Sequence, residues 1–155
     1  MKILVFSDSH GMTSAMCDAL LRHEPDAVLH LGDYTDDVQA LRDFAPQIPV
    51  YAVRGNGDYG SQEPLTMELT LGGVKMFMTH GHTYRVKMDP SGLINTAMYA
   101  GADLLLYGHT HIPCWDAYGE MIALNPGSIG YKGTYAVLEA ENGKLRFALK
   151  RSDED

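Results

Sequence analysis

The first third of the chain alternates between short apolar runs and longer amphipathic stretches. The apolar runs cover residues 3–7, 27–32 and 50–55, and each has the length of a buried strand. The stretches between the runs show apolar residues at helical spacing. Strands that alternate with helices form parallel sheets, so this third of the sequence predicts a βαβαβ unit.

The two predicted helices have candidate start signals. Thr13 or Ser14 precedes the apolar positions of the first helix, and Asp36 or Asp37 precedes those of the second, so these residues are candidate N-caps. The apolar positions are Ala15, Met16, Ala19 and Leu20 in the first helix and Val38 and Leu41 in the second.

The remainder of the chain predicts mostly strands. Residues 65–71 alternate strictly, and a second strand follows across Gly72-Gly73, which indicates a hairpin. The elements predicted after it are a helix from Ser91 to about Ala100, a buried strand at 103–108, short strands at Cys114–Tyr118 and Met121–Leu124, and a C-terminal hairpin. The number of predicted strands is too high for one doubly wound sheet. An α/β fold of two packed sheets with helices outside fits better.

Two Asn-Gly pairs give different indications. Asn142-Gly143 lies between alternating apolar strands and predicts a tight hairpin. Asn56-Gly57 is followed by a polar stretch broken by Gly and Pro, which no hairpin strand would provide. Asn56 therefore needs another explanation.

Composition narrows the classes of function. At 155 residues the chain is expected to form one domain over residues 1–150, with 151–155 as a solvated acidic tail. The net charge is −8 and the basic residues are scattered, so we expect no polymeric nucleic acid as partner.

The N-terminal apolar run is too short for a signal peptide or membrane span. Cys17 and Cys114 lack metal-binding spacing and are expected to be core thiols. A cytoplasmic protein without membrane association is therefore predicted.

Polar residues capable of metal binding follow five of the predicted strands. The strings are Asp8-Ser9-His10, Gly32-Asp33, Gly55-Asn56, His80-Gly81-His82 and Gly108-His109-Thr110-His111. Five of the seven histidines lie in these strings, which scattered core histidines would not produce. Because ligands bind at the carboxyl ends of strands in open α/β sheets, we expect these side chains to line one crevice.

The types of residue in these strings suit a transition-metal centre. In extended backbone, residues two apart point to the same side, so both side chains of an Asp-x-His or His-x-His string can converge on one ion. Oxygen and imidazole ligands without thiolate favour Mn, Fe, Co, Ni or Zn over Ca or Mg. The alternative is that these residues merely cap strand ends.

The ordered set of five strings resembles the calcineurin-like metallophosphoesterase superfamily. The strings around His80, His109 and Asn125 are similar to those of its small single-domain bacterial and archaeal phosphodiesterases, and the resemblance covers residues 3 to about 130. It implies a four-layer α/β/β/α sandwich of two mixed sheets. It also implies two divalent ions, with manganese expected first and Ni, Co, Fe or Zn as alternatives.

The resemblance assigns a ligand role to seven residues. It implies that Asp8, His10, Asp33 and His111 hold one ion, that Asp33, Asn56, His80 and His109 hold the other, and that Asp33 bridges them. Asp33, Asn56 and His80 are assigned to catalysis as well. The larger relatives have His after the ligand Asn, whereas this chain has Gly57, so no imidazole acid is expected there.

The implied activity is hydrolysis of a small phosphodiester, by in-line attack of a metal-bridging hydroxide on phosphorus. The vacuolar sorting subunit of the retromer coat shares this fold and acts as a protein-binding scaffold, so a scaffold is the alternative function. A nuclease is a third possibility, but this sequence lacks the basic groove expected for binding a polymer.

Several residues near the strings remain open between functional and structural roles. His82, Asp58 and Ser128 are candidates for substrate contact or for orienting a ligand, with a polar loop role as the alternative for His82 and a turn role for Ser128. Asp58 could also substitute in part for the missing acid, although an exposed carboxylate is mostly ionised at pH 7. Tyr34 and Tyr59 could contact substrate or be exposed loop residues. His30 is expected to be a hydrogen-bonded core histidine, and His23 a structural residue at a helix end.

Overall fold

The computed structural model describes residues 1–154, which form ten β-strands, three α-helices and one short 3-10 helix. In chain order these are β1 (Lys2–Phe6), α1 (Thr13–His23), β2 (Ala27–His30), α2 (Asp36–Phe44), β3 (Val50–Ala52), β4 (Thr66–Leu71), β5 (Val74–Thr79), the 3-10 helix (His82–Tyr84), α3 (Ser91–Tyr99), β6 (Leu104–Leu106), β7 (Cys114–Tyr118), β8 (Met121–Asn125), β9 (Thr134–Glu141) and β10 (Lys144–Arg151).

The strands form two mixed five-stranded sheets. The first has the order β10-β9-β1-β2-β3, in which β1, β2 and β3 are parallel and β9 pairs antiparallel with both β1 and β10. The second has the order β4-β5-β6-β8-β7, with a parallel centre and antiparallel edges. The predicted βαβαβ unit, the hairpin across Gly72-Gly73 and the hairpin at Asn142-Gly143 are all confirmed.

Three apolar layers hold the sheets and helices together. Side chains from both sheets, such as Val5 and Met76, form the central layer between the sheets. Residues of α1 and α2 cover the outer face of the first sheet, where Phe6 is fully buried, and α3 covers the outer face of the second through Leu93. Since each sheet buries both faces, its central strands read as continuous apolar runs. The fold is the predicted α/β/β/α sandwich.

The predicted helix starts and one cysteine environment are wrong in detail. The helices begin at Thr13 and Asp36, after Met12 and Thr35, and neither of these preceding residues makes a side-chain capping bond. Cys114 is exposed and lies on β7, a strand at the edge of the second sheet. Cys17 on α1 is only partly buried.

The C-terminal end continues the first sheet for one residue more than expected. Arg151, which the sequence analysis counted with the tail, belongs to β10. The Ser152 N–H donates to the Gly133 carbonyl (2.7 Å), and Arg151 pairs with Asp153. Asp155, the last residue of the predicted tail, lies outside the described residues.

Residues 1–154 contain no helix that is both long and apolar enough to cross a membrane.

Candidate metal centre

The loops after β1, β2, β5 and β6 bring six of the seven predicted ligand residues together between the two sheets. Asp8, Asp33 and His80 are buried, and three further histidines around them are half-buried. The half-buried histidines are His10, His109 and His111. The parallel strands of both sheets end at this edge, which explains why residues distant in sequence meet here.

Asp8 lies at the middle of the cluster. Its Oδ1 is 3.0 Å from His111 Nε2 and 3.9 Å from the Nε2 atoms of both His10 and His80. Its Oδ2 accepts hydrogen bonds from the Ser7 hydroxyl (2.6 Å) and the His109 N–H (3.3 Å). These two donors fix the carboxylate so that Oδ1 faces the histidines.

Asp33 is held in a comparable way from the side of β3. Its Oδ1 accepts the Gly57 N–H at 2.9 Å, and its Oδ2 lies 3.6 Å from His80 Nε2. Two compact donor groups result, one of Asp8, His10 and His111 and one of Asp8, Asp33 and His80. The carboxylate common to both groups is Asp8, whereas the ligand set taken from the resemblance shares Asp33.

The hydrogen bonds of His80 define its ring for metal binding. His80 Nδ1 lies 2.8 Å from the Leu31 carbonyl, which can only accept, so Nδ1 carries a proton. In the neutral ring, Nε2 then presents a lone pair to the cluster. This arrangement, with one ring nitrogen bonded to a backbone carbonyl, is usual for histidine ligands.

His109 faces His80 across a short gap. Its Nδ1 is 3.2 Å from His80 Nε2, and the ring centroids are 5.0 Å apart. Burial first, and then the neighbouring His80, lower the pKa of His109 to about 4, so its ring is neutral at neutral pH. Two ligand nitrogens at about 2.1 Å from one ion are separated by roughly this distance.

His10 supplies a direct test of whether the donor set suits a cation. Its Nε2 is buried and makes no hydrogen bond, although it points toward Asp8. A buried polar atom without a partner is costly, and such atoms are rare in native proteins. A bound cation would satisfy His10 Nε2 and the Asp8 carboxylate together, so these residues fit a metal ion.

Five of the predicted ligands have left-handed backbone. The φ angles are +53° at Asp8, +44° at His10, +57° at Asp33, +70° at His109 and +64° at His111. Residues other than Gly rarely adopt this region, and Asp, Asn and His are enriched among those that do. The side chains that can ligate a metal are thus also those that tolerate these turns.

Two glycines are required for space beside the carboxylates. A Cβ on Gly55 would overlap the Asp33 carboxylate, and a Cβ on Gly108 would overlap the Ser7 hydroxyl. The glycines in the predicted strings therefore allow the close approach of neighbouring loops as well as sharp turns.

Asp58 is a structural acceptor rather than an exposed carboxylate. Its Oδ2 accepts the N–H groups of Asp33 and Gly55, and its Oδ1 accepts those of Tyr34 and Thr35, at 2.7 to 2.9 Å. Burial opposes ionisation, but the four N–H donors prevail and lower its pKa. Asp58 thus joins the loops after β2 and β3, and it stays ionised at neutral pH.

Asn56 lies in a turn of the same loop, not in a hairpin. The Asp58 N–H donates to the Gly55 carbonyl at 3.2 Å, and the Asn56 side chain is exposed next to the backbone that holds Asp33. The Asn56 ligand role stays a prediction.

A network of hydrogen bonds that the sequence does not reveal supports the Asp8–His10 loop. Ser9 donates to Asp37 Oδ2 (2.7 Å), and His30 Nε2 lies 2.9 Å from Ser9 Oγ. Asp37 also accepts the Gly11 N–H, and His30 Nδ1 accepts the Gly32 N–H. Burial lowers the pKa of His30 to about 4, so its predicted role as a hydrogen-bonded core histidine is confirmed. No sequence spacing signals this network, because its members are joined only in space.

The remaining candidates divide between structural and open positions. Ser128 is buried, donates to the Asp8 carbonyl (2.8 Å) and accepts the Tyr131 N–H (3.0 Å), so it fixes the Asp8 loop. The His82 ring lies beside that of His80, with centroids 5.5 Å apart and planes tilted by 56°, and its buried Nδ1 has no hydrogen-bond partner. Burial and then His80 lower the His82 pKa. His23 contacts Tyr135.

Two tyrosines contact the cluster. Tyr34 and Tyr131 flank His10, with ring centroids at 5.3 and 4.5 Å, and Tyr131 also lies 5.1 Å from His111. Tyr59 is 95% exposed. The Tyr131 position was not anticipated from the sequence.

Sequence comparison finds related phosphoesterases. The probable metallophosphoesterase YsnB of Bacillus subtilis is 33% identical over 150 residues, covering 92% of this chain and 86% of YsnB. Phosphodiesterase YfcE of Escherichia coli is 30% identical over 149 residues, covering 87% of this chain and 76% of YfcE.

Solved structures share the fold. A conserved Streptococcus pneumoniae protein described as a predicted phosphoesterase superposes with a TM-score of 0.82 at 29% identity, covering 98% of this chain and 90% of that one. Wild-type Vps29 of Entamoeba histolytica, solved as a complex with Zn²⁺, gives a TM-score of 0.74 at 22% identity, covering 98% of this chain and 99% of that one. The family model of the calcineurin-like phosphoesterase superfamily domain matches residues 1–143. The chain therefore belongs to the calcineurin-like phosphoesterase superfamily.

Proposed function

We propose that this protein is a dinuclear metal-dependent phosphodiesterase acting on small phosphodiesters. The observation that carries the proposal is the convergence of two buried carboxylates and four imidazoles in one crevice, with His10 Nε2 buried and unpartnered. A structural role alone would leave no reason for such a group of donors. The relatedness to YfcE, a phosphodiesterase, supports the same class of substrate.

The ligand assignment follows the sequence-based set. One ion would be held by Asp8, His10, Asp33 and His111, and the other by Asp33, Asn56, His80 and His109. Manganese is the first expectation, with Ni, Co, Fe or Zn as alternatives, because the donors are oxygen and imidazole without thiolate. The carboxylate common to both donor groups in the structure, Asp8, is a second candidate for the bridging role.

The electrostatics of the site favour a phosphate despite the overall charge of −8. Asp8 and Asp33 bring two negative charges against four positive charges of two divalent ions, so the occupied site has a local charge of about +2. When bound, such ions acidify a water to a pKa near 7 and stabilise charge on the phosphate oxygens. The residues of the chain contribute position: Ser7, His109 N–H and Gly57 N–H hold the carboxylates in place.

Proton donors for a leaving group are scarce in this chain. Gly57 has no side chain to offer, and Asp58 is held as an acceptor by four N–H groups. The lowered pKa of His82 keeps its ring neutral at neutral pH. We therefore expect aryl phosphodiesters, whose leaving groups need no protonation, to be hydrolysed better than alkyl phosphomonoesters.

The test is reconstitution of metal-free protein with Mn, Ni, Co, Zn or Mg, followed by a screen of phosphodiesters, phosphomonoesters and phosphonates. We expect turnover of aryl phosphodiesters with a transition metal, and loss of at least about 10²-fold in His111→Ala, since removing even a residue that orients a metal ligand costs about 10- to 100-fold. A contaminating hydrolase would be unaffected by that substitution. Binding of two ions without turnover of any ester would overturn the proposal.

The alternative function is a protein-binding scaffold. It is favoured by the structural similarity to Vps29, which was itself solved with Zn²⁺, so metal binding alone does not separate the two functions. Turnover does, because a scaffold gains nothing from accelerating hydrolysis.

A further inference from the structure

We propose that Tyr34 and Tyr131 form an aromatic lip that selects phosphodiesters carrying a planar aromatic group, aryl or nucleobase. This inference rests on the phosphodiesterase function proposed above and specifies the class of substrate. The name aromatic lip refers to these two residues only.

The first observation is where the two rings lie. Both contact His10, whose Nε2 points toward Asp8, and Tyr131 also contacts His111. The two tyrosines therefore border the donor group of Asp8, His10 and His111 on its outer side. An ester group on a phosphate held at this donor group would lie within reach of the rings.

The second observation is that both rings are largely exposed to solvent. The Tyr34 side chain is 47% exposed and that of Tyr131 is 65% exposed, although large aromatic residues usually bury most of their surface. Part of each ring contacts a histidine, and the rest is exposed to solvent. Such faces bind planar aromatic groups by stacking, which is tolerant of the identity of the group.

The third observation is that the backbone at both positions is fixed by the residues that fix the carboxylates. The Tyr34 N–H donates to Asp58 Oδ1 (2.7 Å), which maintains a left-handed φ of +81° that a bulky residue rarely adopts. The Tyr131 N–H donates to Ser128 Oγ (3.0 Å), and that hydroxyl donates to the Asp8 carbonyl. Exposed tyrosines without a function would need no such support.

The test uses three diesters with the same 4-nitrophenolate leaving group, so that intrinsic reactivity is closely matched. The second ester group is methyl, phenyl or thymidine 5′. The quantity measured on the metal-loaded full chain is the ratio of kcat/KM for the phenyl or thymidine diester to kcat/KM for the methyl diester. We expect this ratio to fall about tenfold in Tyr131→Ala and in Tyr34→Ala, and to be retained in Tyr131→Phe. A preference for phenyl alone would identify aryl groups, and one for thymidine alone would identify nucleobases.

The control variant is Tyr99→Ala, which removes a tyrosine that is 98% exposed at the end of α3, and we expect unchanged ratios. Binding of phenylphosphonate against methylphosphonate is the decisive readout, since all three diesters also carry a 4-nitrophenyl ring, whereas only one of the two phosphonates has an aromatic group. Equal affinities for the two phosphonates in the wild type and in both alanine variants would overturn the aromatic lip while leaving the phosphodiesterase function intact. Absence of turnover for all three diesters would instead overturn the function.

Discussion

Replacing Asp58 by Asn tests the inference that one carboxylate holds the two loops of the metal centre together. Each Asp58 oxygen accepts two backbone N–H groups, and Asn keeps only one such oxygen. Two N–H donors would then face an NH2 group. Hydrogen bonds to a charged acceptor contribute about 1.5 to 3 kcal/mol each, and Asp58 is only partly buried, so water compensates part of the loss. We expect Asp58→Asn to lower the free energy of unfolding by about 2 to 3 kcal/mol.

The assay is urea denaturation of metal-free protein, which excludes any contribution from ion binding. The control is Asp43→Asn, an exposed carboxylate with one side-chain hydrogen bond from Gln39, for which we expect a change within about 0.5 kcal/mol. If Asp58→Asn matched this control, the four N–H bonds would not stabilise the loops and the inference would fail.

The pH dependence of the same variant gives an independent test. The pKa of Asp58 is lowered in the folded state from an ordinary value of 3.8, so its stabilising contribution is complete above that value and disappears as the pH falls below it. The stability difference between the wild type and Asp58→Asn should therefore shrink between pH 5 and pH 3. A difference that stayed constant over this range would contradict the assigned cause.

Three further predictions concern the metal centre. Asp33→Ala should lower activity and metal content together, and elemental analysis that still finds two ions per chain would refute the bridging role of Asp33. Metal affinity should fall as the pH drops below about 6.5, the usual pKa of a histidine side chain, because a protonated imidazole cannot bind a metal ion. His109, with a pKa of about 4, stays neutral over this range. A metal stoichiometry that stays flat from pH 7.5 to 5 at limiting metal would rule out a histidine-rich site. Gly57→His should raise the rate mainly for poor leaving groups, since Gly57 is not among the left-handed glycines. The new Cβ would lie 3.3 Å from Asp33 Oδ1, so that carboxylate must shift by a few tenths of an ångström, and metal content of the variant is the control. In a variant that keeps both ions, an unchanged dependence of rate on leaving-group pKa would place the acid elsewhere.

The sequence predicts the strands and helices because each depends on local periodicity, and it predicts the meeting of the polar strings because parallel strands end at one edge of a sheet. The alternation of residues 65–71 and the apolar run at 103–108 both correspond to strands, β4 and β6. The position of α2 was also anticipated, although its N-cap was not. Asp37 looked like a capping residue, but its carboxylate accepts from Ser9 and Gly11 instead. A cap and a tertiary acceptor look alike in sequence, so only the three-dimensional structure separates them.

The same limit applies to residues that support the centre from a distance. Asp58 looked like an exposed carboxylate in a polar loop, and Ser128 like a turn residue, because their partners are contributed by other loops. The contact between Tyr131 and His10 could not be predicted, since no sequence spacing relates the two residues. The candidate ligands were recognisable because their types are chemically distinctive, whereas backbone acceptors and packing partners are not.

The left-handed backbone at Asp8, His10, Asp33, His109 and His111 sets stability against function at the same positions. Such conformations cost on the order of 1 kcal/mol each, and glycine would relieve that cost. Glycine at any of the five would make the chain easier to fold and would delete the side chain that the centre needs. Selection for thermal stability alone would therefore be expected to erode this centre first.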